Sequence, residues 1–251
     1  MSDTLRVVHR DTRLMAHATA ARLLTALVEA QAARGEATVV LTGGRNGNAL
    51  LGAVAEAPAR DAVDWSRVNL WWGDERYLPE GHPDRNATQA RAALLDGLGL
   101  EASRVHPMPA ADGPYGTDVA AAAAAYAAEL AEAARREGRE TLPRFDVLLL
   151  GVGPDAHVAS LFPGLPGVAE TERTVVAVTD APKPPPTRIS LTLPAVRSAD
   201  EVWLLAAGPD KADAAALALS GPSVTQAPAA GARGRVRTRW LLDEAAAAAL
   251  R

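Results

Sequence analysis

A histidine and a carboxylate stand two residues apart in a glycine-rich segment of the chain. The segment reads GVGPDAHVASLFPG over residues 151–164 and directly follows the apolar run 145–150. An imidazole titrates near neutrality, and a neighbouring carboxylate can hold it in one tautomer, so His157 with Asp155 could serve as a general base. A structural loop histidine would show the same residues, and the sequence alone leaves both interpretations open.

The same segment also fits part of a dinucleotide-binding pattern. Gly151, Gly153 and Ala156 have the G-x-G-x-x-[GA] spacing after an apolar run. That pattern needs a long continuing helix, whereas Pro163 and Gly164 predict that a helix here stops after about two turns. The segment therefore does not indicate a nucleotide cofactor.

A second glycine-rich segment could hold an anion. Thr42, Gly43, Gly44 and Arg45 follow the apolar run 37–41 and lead into a helical pattern. Paired glycines let the backbone approach a ligand, and the free N–H groups at the start of a helix favour an anion such as phosphate. An ordinary strand-to-helix turn is the alternative.

Further charged residues follow other apolar runs. Asp74 and Arg76 come after the run 68–72, Arg188 follows a run of prolines, and Lys211 stands near the start of a helical segment. Each could contact an anionic ligand, although solvated loop charges are the simpler explanation for any one of them.

Basic residues are unevenly distributed between the two types. Only Lys183 and Lys211 are lysines among the 26 basic residues, which makes both candidates for a task that needs a compact ammonium group. Arginines at every second position over 233–239 predict one exposed face of a strand. In an acidic protein, four arginines are a weak signal for nucleic acid.

These loops need elements that bring them together. Apolar runs of strand length alternate with segments of helical period, which predicts an α/β fold with a parallel sheet and crossover helices, in one domain over residues 1–251. In such a sheet, ligands bind beyond the carboxyl ends of the strands. The predicted strands are 37–41, 68–72, 145–150, 174–178 and 201–206, and the predicted helices are 13–34, 46–57, 86–96, 116–137 and 210–219.

Composition excludes several classes of function. The 251 residues carry 26 basic and 30 acidic side chains, a net charge of −4, so neither nucleic acid nor an anionic membrane is expected as the main partner. Cysteine is absent, which excludes disulfides and thiolate metal sites. No apolar run approaches the roughly 20 residues of a membrane span, and the first residues lack a secretory signal, so a cytoplasmic location is expected.

The remaining histidines give no sign of a metal centre. His82 and His106 each precede a proline and are expected to serve turns. The others have no acidic or histidine cluster at ligand spacing, and no metal site is predicted.

Taken together, these motifs resemble those of the 6-phosphogluconolactonase family, in order along nearly the whole chain. The resemblance implies a Rossmann-like, doubly wound, mostly parallel sheet, no cofactor and no metal. It also implies hydrolysis of 6-phospho-D-glucono-1,5-lactone, the second step of the oxidative pentose phosphate pathway. The matching segments are 42–44, 72–76, 82–86, 151–164, 182–194 and 208–211.

The resemblance also implies roles for particular residues. His157 would be the base with Asp155 beside it, and Arg76 and Arg188 would contact the phosphate or the rest of the substrate. The partner would be a small phosphorylated sugar lactone, bound by a monomer or at most a weak homodimer. The full set expected at the substrate is Thr42, Gly43, Gly44, Arg45, Asp74, Arg76, Arg188 and Lys211.

Two positions depart from the family pattern, and two alternatives stay open. Ala156 stands where the family usually has glycine, and Arg45 where it has serine or threonine. Sugar-phosphate isomerases and deaminases of the same superfamily carry Asn-Glu where this chain has Leu161 and Phe162. A non-catalytic sugar-phosphate sensor on this fold is the second alternative.

Overall fold

The computed structural model describes residues 3–250, which contain ten strands and eight α-helices. The strands are β1 (Asp3–His9), β2 (Ala37–Leu41), β3 (Val68–Trp72), β4 (Asp74–Arg76), β5 (Val105–His106), β6 (Val147–Gly151), β7 (Val175–Val178), β8 (Arg188–Leu191), β9 (Glu201–Ala206) and β10 (Arg237–Asp243). The helices are α1 (Thr12–Arg34), α2 (Gly44–Glu56), α3 (Asn86–Ala93), α4 (Val119–Arg136), α5 (Leu193–Arg197), α6 (Ala212–Leu219), α7 (Pro228–Gly231) and α8 (Glu244–Ala247).

Seven of the strands form one parallel sheet in the order β1-β10-β9-β6-β2-β3-β5. From β2 the chain moves outward through β3 to β5, and from β6 it moves outward in the other direction through β9 to β10. The direction therefore reverses between the neighbours β2 and β6. The predicted mostly parallel, doubly wound α/β domain is confirmed, and such a reversal is where ligands bind in this fold.

Burial explains why the central strands are easy to find in the sequence. Every residue of β2 is buried, and Val147 to Leu150 of β6 are at most 1% exposed. Helices cover both faces of a parallel sheet, so its central strands are continuous apolar runs rather than alternating ones. The helix α1 is also clearly marked, because the Asp11 side chain accepts a hydrogen bond from Leu14 N at its start and Gly35, at φ 82°, ends it.

One predicted strand belongs to a different sheet. The run predicted over 174–178 is β7, which lies in a three-stranded antiparallel sheet of order β4-β8-β7 and outside the parallel sheet. The pattern missed β1, β4, β5 and β8, because these strands are short or mix charged with apolar residues. β1 is an edge strand with alternating partial exposure, so it lacks a continuous apolar run.

Three other local predictions are wrong. Residues 151–164 form turns and isolated bridges rather than a two-turn helix. The strand in the arginine-rich segment begins only at Arg237, and Arg239 is 9% exposed, so the arginines do not form one exposed face. His106 lies in β5 and stacks on Trp71 with ring centroids 3.9 Å apart, whereas His82 does serve a turn by accepting a hydrogen bond from Asp84 N.

None of the helices within residues 3–250 is both long and apolar enough to cross a membrane.

Candidate active site

A cavity of about 320 Å³ lies at the carboxyl ends of β2, β3, β6 and β9, beside the point where the strand order reverses. Loops that are far apart in the sequence meet here because parallel strands end at the same edge of the sheet. Every residue predicted to touch substrate contributes to the lining, and His157 does as well. Asp155 lies behind His157 and is not part of the lining.

A short turn holds His157 against Asp155. Gly153 N donates to His157 O and Ala156 N donates to Gly153 O, each at 2.9 Å, which closes the turn after β6. The His157 Nδ1 lies 2.5 Å from Asp155 Oδ1, and Lys183 Nζ lies 3.5 Å from the same oxygen. The histidine ring also packs on Phe162, with ring centroids 4.4 Å apart. The imidazole is therefore held on two sides.

The charge state of Asp155 decides which imidazole nitrogen is available. Burial alone would raise the pKa of Asp155, but the hydrogen bond with His157 and the charges of His157 and Lys183 outweigh it and hold that pKa well below its ordinary value. An ionised carboxylate can only accept, so Nδ1 carries the proton between the two groups. In the neutral imidazole, the lone pair is then on Nε2, on the far side of the ring from Asp155.

Backbone strain is present in the same turn. Ala156 has φ 60° and Ala159 has φ 50°, the left-handed region that glycine adopts without cost. The departure at Ala156 therefore leaves the turn intact at a cost of roughly 1 kcal/mol. Gly153 cannot be replaced by alanine in the same way, because a Cβ there would overlap the His157 imidazole.

The second glycine-rich segment leads into α2, as expected. Gly43 is the N-cap of this helix and offers no capping side chain, so the helix begins with unsatisfied N–H groups beside the cavity. Arg45 Nη2 donates to Ala207 O and to Asp210 Oδ1, both at 2.8 Å. These bonds tie the α2 start to the loop after β9, where Lys211 Nζ lies 3.4 Å from Asp210 Oδ2.

A buried carboxylate fixes the position of the strand β4, which carries Arg76. Glu75 is fully buried, and its Oε1 accepts from Arg76 N at 2.8 Å and from Asn86 N at 2.6 Å, while Oε2 accepts from Ala87 N at 2.9 Å. Burial raises the pKa of Glu75, and Arg85 together with these N–H groups opposes the rise. Glu75 thereby fastens β4 to the start of α3.

Asp74 connects three loops of the site. Its Oδ2 accepts from Ser160 Oγ at 2.7 Å, and its backbone oxygen accepts from Asn86 Nδ2 at 2.8 Å. Asn86 in turn packs so closely on Gly43 that a Cβ there would overlap its side chain. No role was predicted for Glu75, Ser160 or Asn86, although the segments 72–76, 82–86 and 151–164 contain them. Their place as polar residues inside these segments was the signal that the sequence offered, and their burial became visible only in the structure.

Arg188 uses most of its donors on its own loop. Its Nε donates to Pro185 O at 3.0 Å and its Nη2 to Lys183 O at 2.9 Å, and the residue is 5% exposed. The guanidinium also lies 5.5 Å from the centre of the Phe162 ring. Arg188 therefore lines the cavity and also shapes the loop that brings Lys183 to Asp155.

The lining carries an excess of positive charge. Its carboxylates come from Asp74 and Asp210, both already hydrogen-bonded within the protein. Within residues 3–250, no group of three or more His, Cys, Asp or Glu side chains is placed to hold a metal ion. The arrangement suits an anionic ligand beside an imidazole. The cationic side chains of the lining are Arg45, Arg76, Lys183, Arg188 and Lys211.

The sequence and the fold match those of a known family. A model described as glucosamine-6-phosphate isomerases/6-phosphogluconolactonase matches residues 10–240, and this chain belongs to that family. It is 70% identical over 251 residues to the 6-phosphogluconolactonase of Streptomyces coelicolor, covering 100% of this chain and 96% of that protein. It is 52% identical over 240 residues to the Mycobacterium tuberculosis 6-phosphogluconolactonase, covering 96% of each. The fold is similar to that of the Trypanosoma brucei 6-phosphogluconolactonase, with a TM-score of 0.84, 23% identity and full coverage of both chains.

Proposed function

We propose that this chain hydrolyses 6-phospho-D-glucono-1,5-lactone to 6-phospho-D-gluconate. The 70% identity to a 6-phosphogluconolactonase over the full chain supports the reaction. The structural observation that carries the proposal is the His157–Asp155 pair beside a cavity lined by five cationic side chains. A base and an anion site in one cavity are what a phosphorylated lactone requires.

His157 acts as the general base in the proposed mechanism. Its Nε2 takes a proton from water as the water oxygen bonds to the lactone carbonyl carbon, and Asp155 stabilises the imidazolium that forms. Collapse of the tetrahedral intermediate breaks the bond between that carbon and the ring oxygen. The ring oxygen takes the proton back from His157, which leaves a carboxylic acid that ionises to the product.

The phosphate is assigned to the part of the cavity formed by the start of α2, β4 and the segment after β9. The start of α2 supplies N–H groups, and Arg45, Arg76 and Lys211 supply charge. Binding energy from this remote group would hold the reacting carbon near His157. Arg188 supports the loop that carries Lys183, which completes the lining of the cavity.

No observation favours the alternatives. Leu161 and Phe162 stand where the related isomerases and deaminases carry Asn-Glu. Both are apolar, and they are 0% and 1% exposed, so these positions supply no carboxylate to the cavity. A sensor without turnover would not need a histidine fixed in one tautomer. The cytoplasmic location and the monomeric state stay predictions from the sequence.

Lactone consumption measured against the spontaneous reaction tests the proposal. Purified protein should accelerate hydrolysis of the phosphorylated lactone, with 6-phosphogluconate identified as the product. His157→Asn should remove the acceleration, while His17→Asn on α1, a matched substitution outside the cavity, should keep it. Equal rates with and without protein would overturn the assignment, and so would full activity in His157→Asn for the assigned base.

A further inference from the structure

A second groove lies at the end of the sheet opposite to the candidate active site. It has a volume of about 470 Å³ and runs between α1 and the amino ends of β9 and β10. Arg22 of α1 and Arg237 and Arg239 of β10 line it, and the small α1 residues Ala18 and Ala21 leave the space open. The active-site cavity, by contrast, lies at the carboxyl ends of the strands.

The strand register places the groove's polar residues on one face. Arg237 pairs with Glu201 and Arg239 pairs with Trp203 across the parallel strands β10 and β9. Side chains two residues apart in a strand point to the same face, so all four lie under α1. This face presents Arg237 and Arg239 of the arginine-rich segment, and the proposed reaction uses neither of them.

One carboxylate serves several donors in this groove. Glu201 Oε2 accepts from Arg239 Nε at 2.9 Å and from Trp203 Nε1 at 2.8 Å, while Arg237 Nη1 lies 3.5 Å from Oε1. Two guanidinium groups and an indole therefore share a single negative charge. The Arg239 guanidinium also lies 5.8 Å from the centre of the Trp203 ring.

Arg22 adds a third positive charge to the groove. Within residues 3–250, the buried Nε–H groups of Arg22 and Arg237 have no hydrogen-bond partner. Burial and the nearby Arg239 charge lower the pKa of Arg22, and the Glu201 carboxylate opposes the fall. The second carboxylate of the lining, Glu29, is exposed and does not form a salt bridge with these arginines.

We propose that this groove binds a phosphate group, free or carried by a small metabolite, between Arg22, Arg237 and Arg239. A phosphate presents several acceptor oxygens, which match the planar donor sets of guanidinium groups. It would supply the negative charge that Glu201 alone does not provide. The site is separate from the one assigned to the substrate phosphate, because the two lie at opposite ends of the same strands.

The indole N–H of Trp203 provides a local reporter for the experiment. Uniformly ¹⁵N-labelled full-length protein would be titrated with inorganic phosphate, and its Trp203 indole signal would be identified by its loss in Trp203→Phe. A sodium chloride series at equal ionic strength would separate binding from screening. We expect a saturable shift with phosphate and no saturable shift with chloride.

Two substitutions of opposite sign make the test strict. Arg22→Gln should weaken phosphate binding by about tenfold or more, since a charge-assisted contact is lost. Glu201→Gln should tighten it, because the competing carboxylate is neutralised. Arg13→Gln, at an exposed position of α1, is the matched control and should leave the affinity unchanged.

The outcomes separate this proposal from the proposed reaction. A shift that sodium chloride reproduces, or equal affinities in the unsubstituted protein and Arg22→Gln, would overturn the phosphate site. Arg22→Gln should keep its lactone hydrolysis in phosphate-free buffer, so loss of the groove and loss of the reaction are distinguishable. A parallel titration with glucose 6-phosphate identifies the source: tighter binding than inorganic phosphate favours a sugar ester, and equal or weaker binding favours the free ion.

Discussion

The cavity at the carboxyl ends of the strands and the groove at their amino ends both collect basic side chains, but they are built differently. In the cavity, Arg76 and Arg188 come from the short antiparallel strands β4 and β8 and Lys211 comes from a short turn, beside the start of α2. In the groove, the basic side chains come from the regular elements α1 and β10 and share Glu201. The cavity adds the backbone N–H groups at the start of α2 to these side chains, whereas the groove is lined by side chains of α1, β9 and β10. The cavity is also lined by His157, whereas the described lining of the groove has no such base, so we expect catalysis in the first region and only binding in the second.

The largest expected effect would come from the turn after β6. His157→Asn should lower kcat by roughly 10²- to 10⁴-fold, because it removes the base and keeps a polar side chain of similar shape. Steady-state kinetics at constant pH would measure the change, and thermal unfolding would show that the fold is retained. An unchanged kcat would remove the chemical distinction between the two regions.

The second prediction separates phosphate contacts from loop support within the cavity. Unphosphorylated gluconolactone should have a kcat/KM at least about 10²-fold lower than the phosphorylated lactone, because charge-assisted contacts are lost. Arg76→Ala should impair mainly the phosphorylated substrate. Arg188→Ala should impair both, since three of its hydrogen bonds hold the backbone of residues 183–185.

Competition between the two lactones in one assay would measure these ratios. Arg13→Ala on α1 offers a charge-matched control outside the cavity. Equal wild-type rates on both lactones would contradict the phosphate assignment. Selective loss of the phosphorylated substrate in Arg188→Ala would instead place that arginine on the phosphate.

A smaller effect is expected in the pH dependence of stability. The pKa of Asp155 is lowered in the folded state, so its contribution to stability is present above its unfolded value and is lost as the pH falls toward the folded one. Asp155→Asn should thus be less stable than the unsubstituted protein at pH 6, by no more than about 1 kcal/mol because the site is partly solvated. The difference should shrink below about pH 4.

Denaturant unfolding at both pH values would measure that difference. Asp61→Asn, which removes an exposed carboxylate, should show little change at either pH. A stability difference for Asp155→Asn that is constant across the range would mean that the His157–Asp155 pair does not lower the carboxyl pKa.

The smallest prediction concerns strain in the turn that holds His157. Ala156→Gly should relieve the cost of φ 60° and change the free energy of unfolding by at most about 1 kcal/mol, because glycine also gains entropy in the unfolded chain. Denaturant unfolding of Ala156→Gly and of the unsubstituted protein, with kcat measured in parallel, would test the prediction. A large loss of activity would show that the alanine methyl, which is buried, positions His157 by packing.

The sequence predicted the centre of the fold better than its edges. Continuous apolar runs mark β2, β3 and β9, since both faces of these strands are covered. β1 and β10 have charged residues beside apolar ones. They pair with each other although they are more than 200 residues apart in the chain. β7 shows the limit most clearly, because its apolar run predicts a strand but contains no information on which sheet it joins.

By itself the sequence determined which residues stand next to each other in a loop. Asp155 and His157 are two residues apart, and one turn is enough to join them, so a local pattern could predict the pair. The sequence also predicted that the residues expected at the substrate would share one cavity, because parallel strands bring their carboxyl ends to one edge of the sheet. Only the tertiary structure decided how Glu75 fastens Arg76 to α3 and how Arg22 meets Arg237 and Arg239. Those contacts depend on burial and register between distant elements, and no spacing along the chain encodes them.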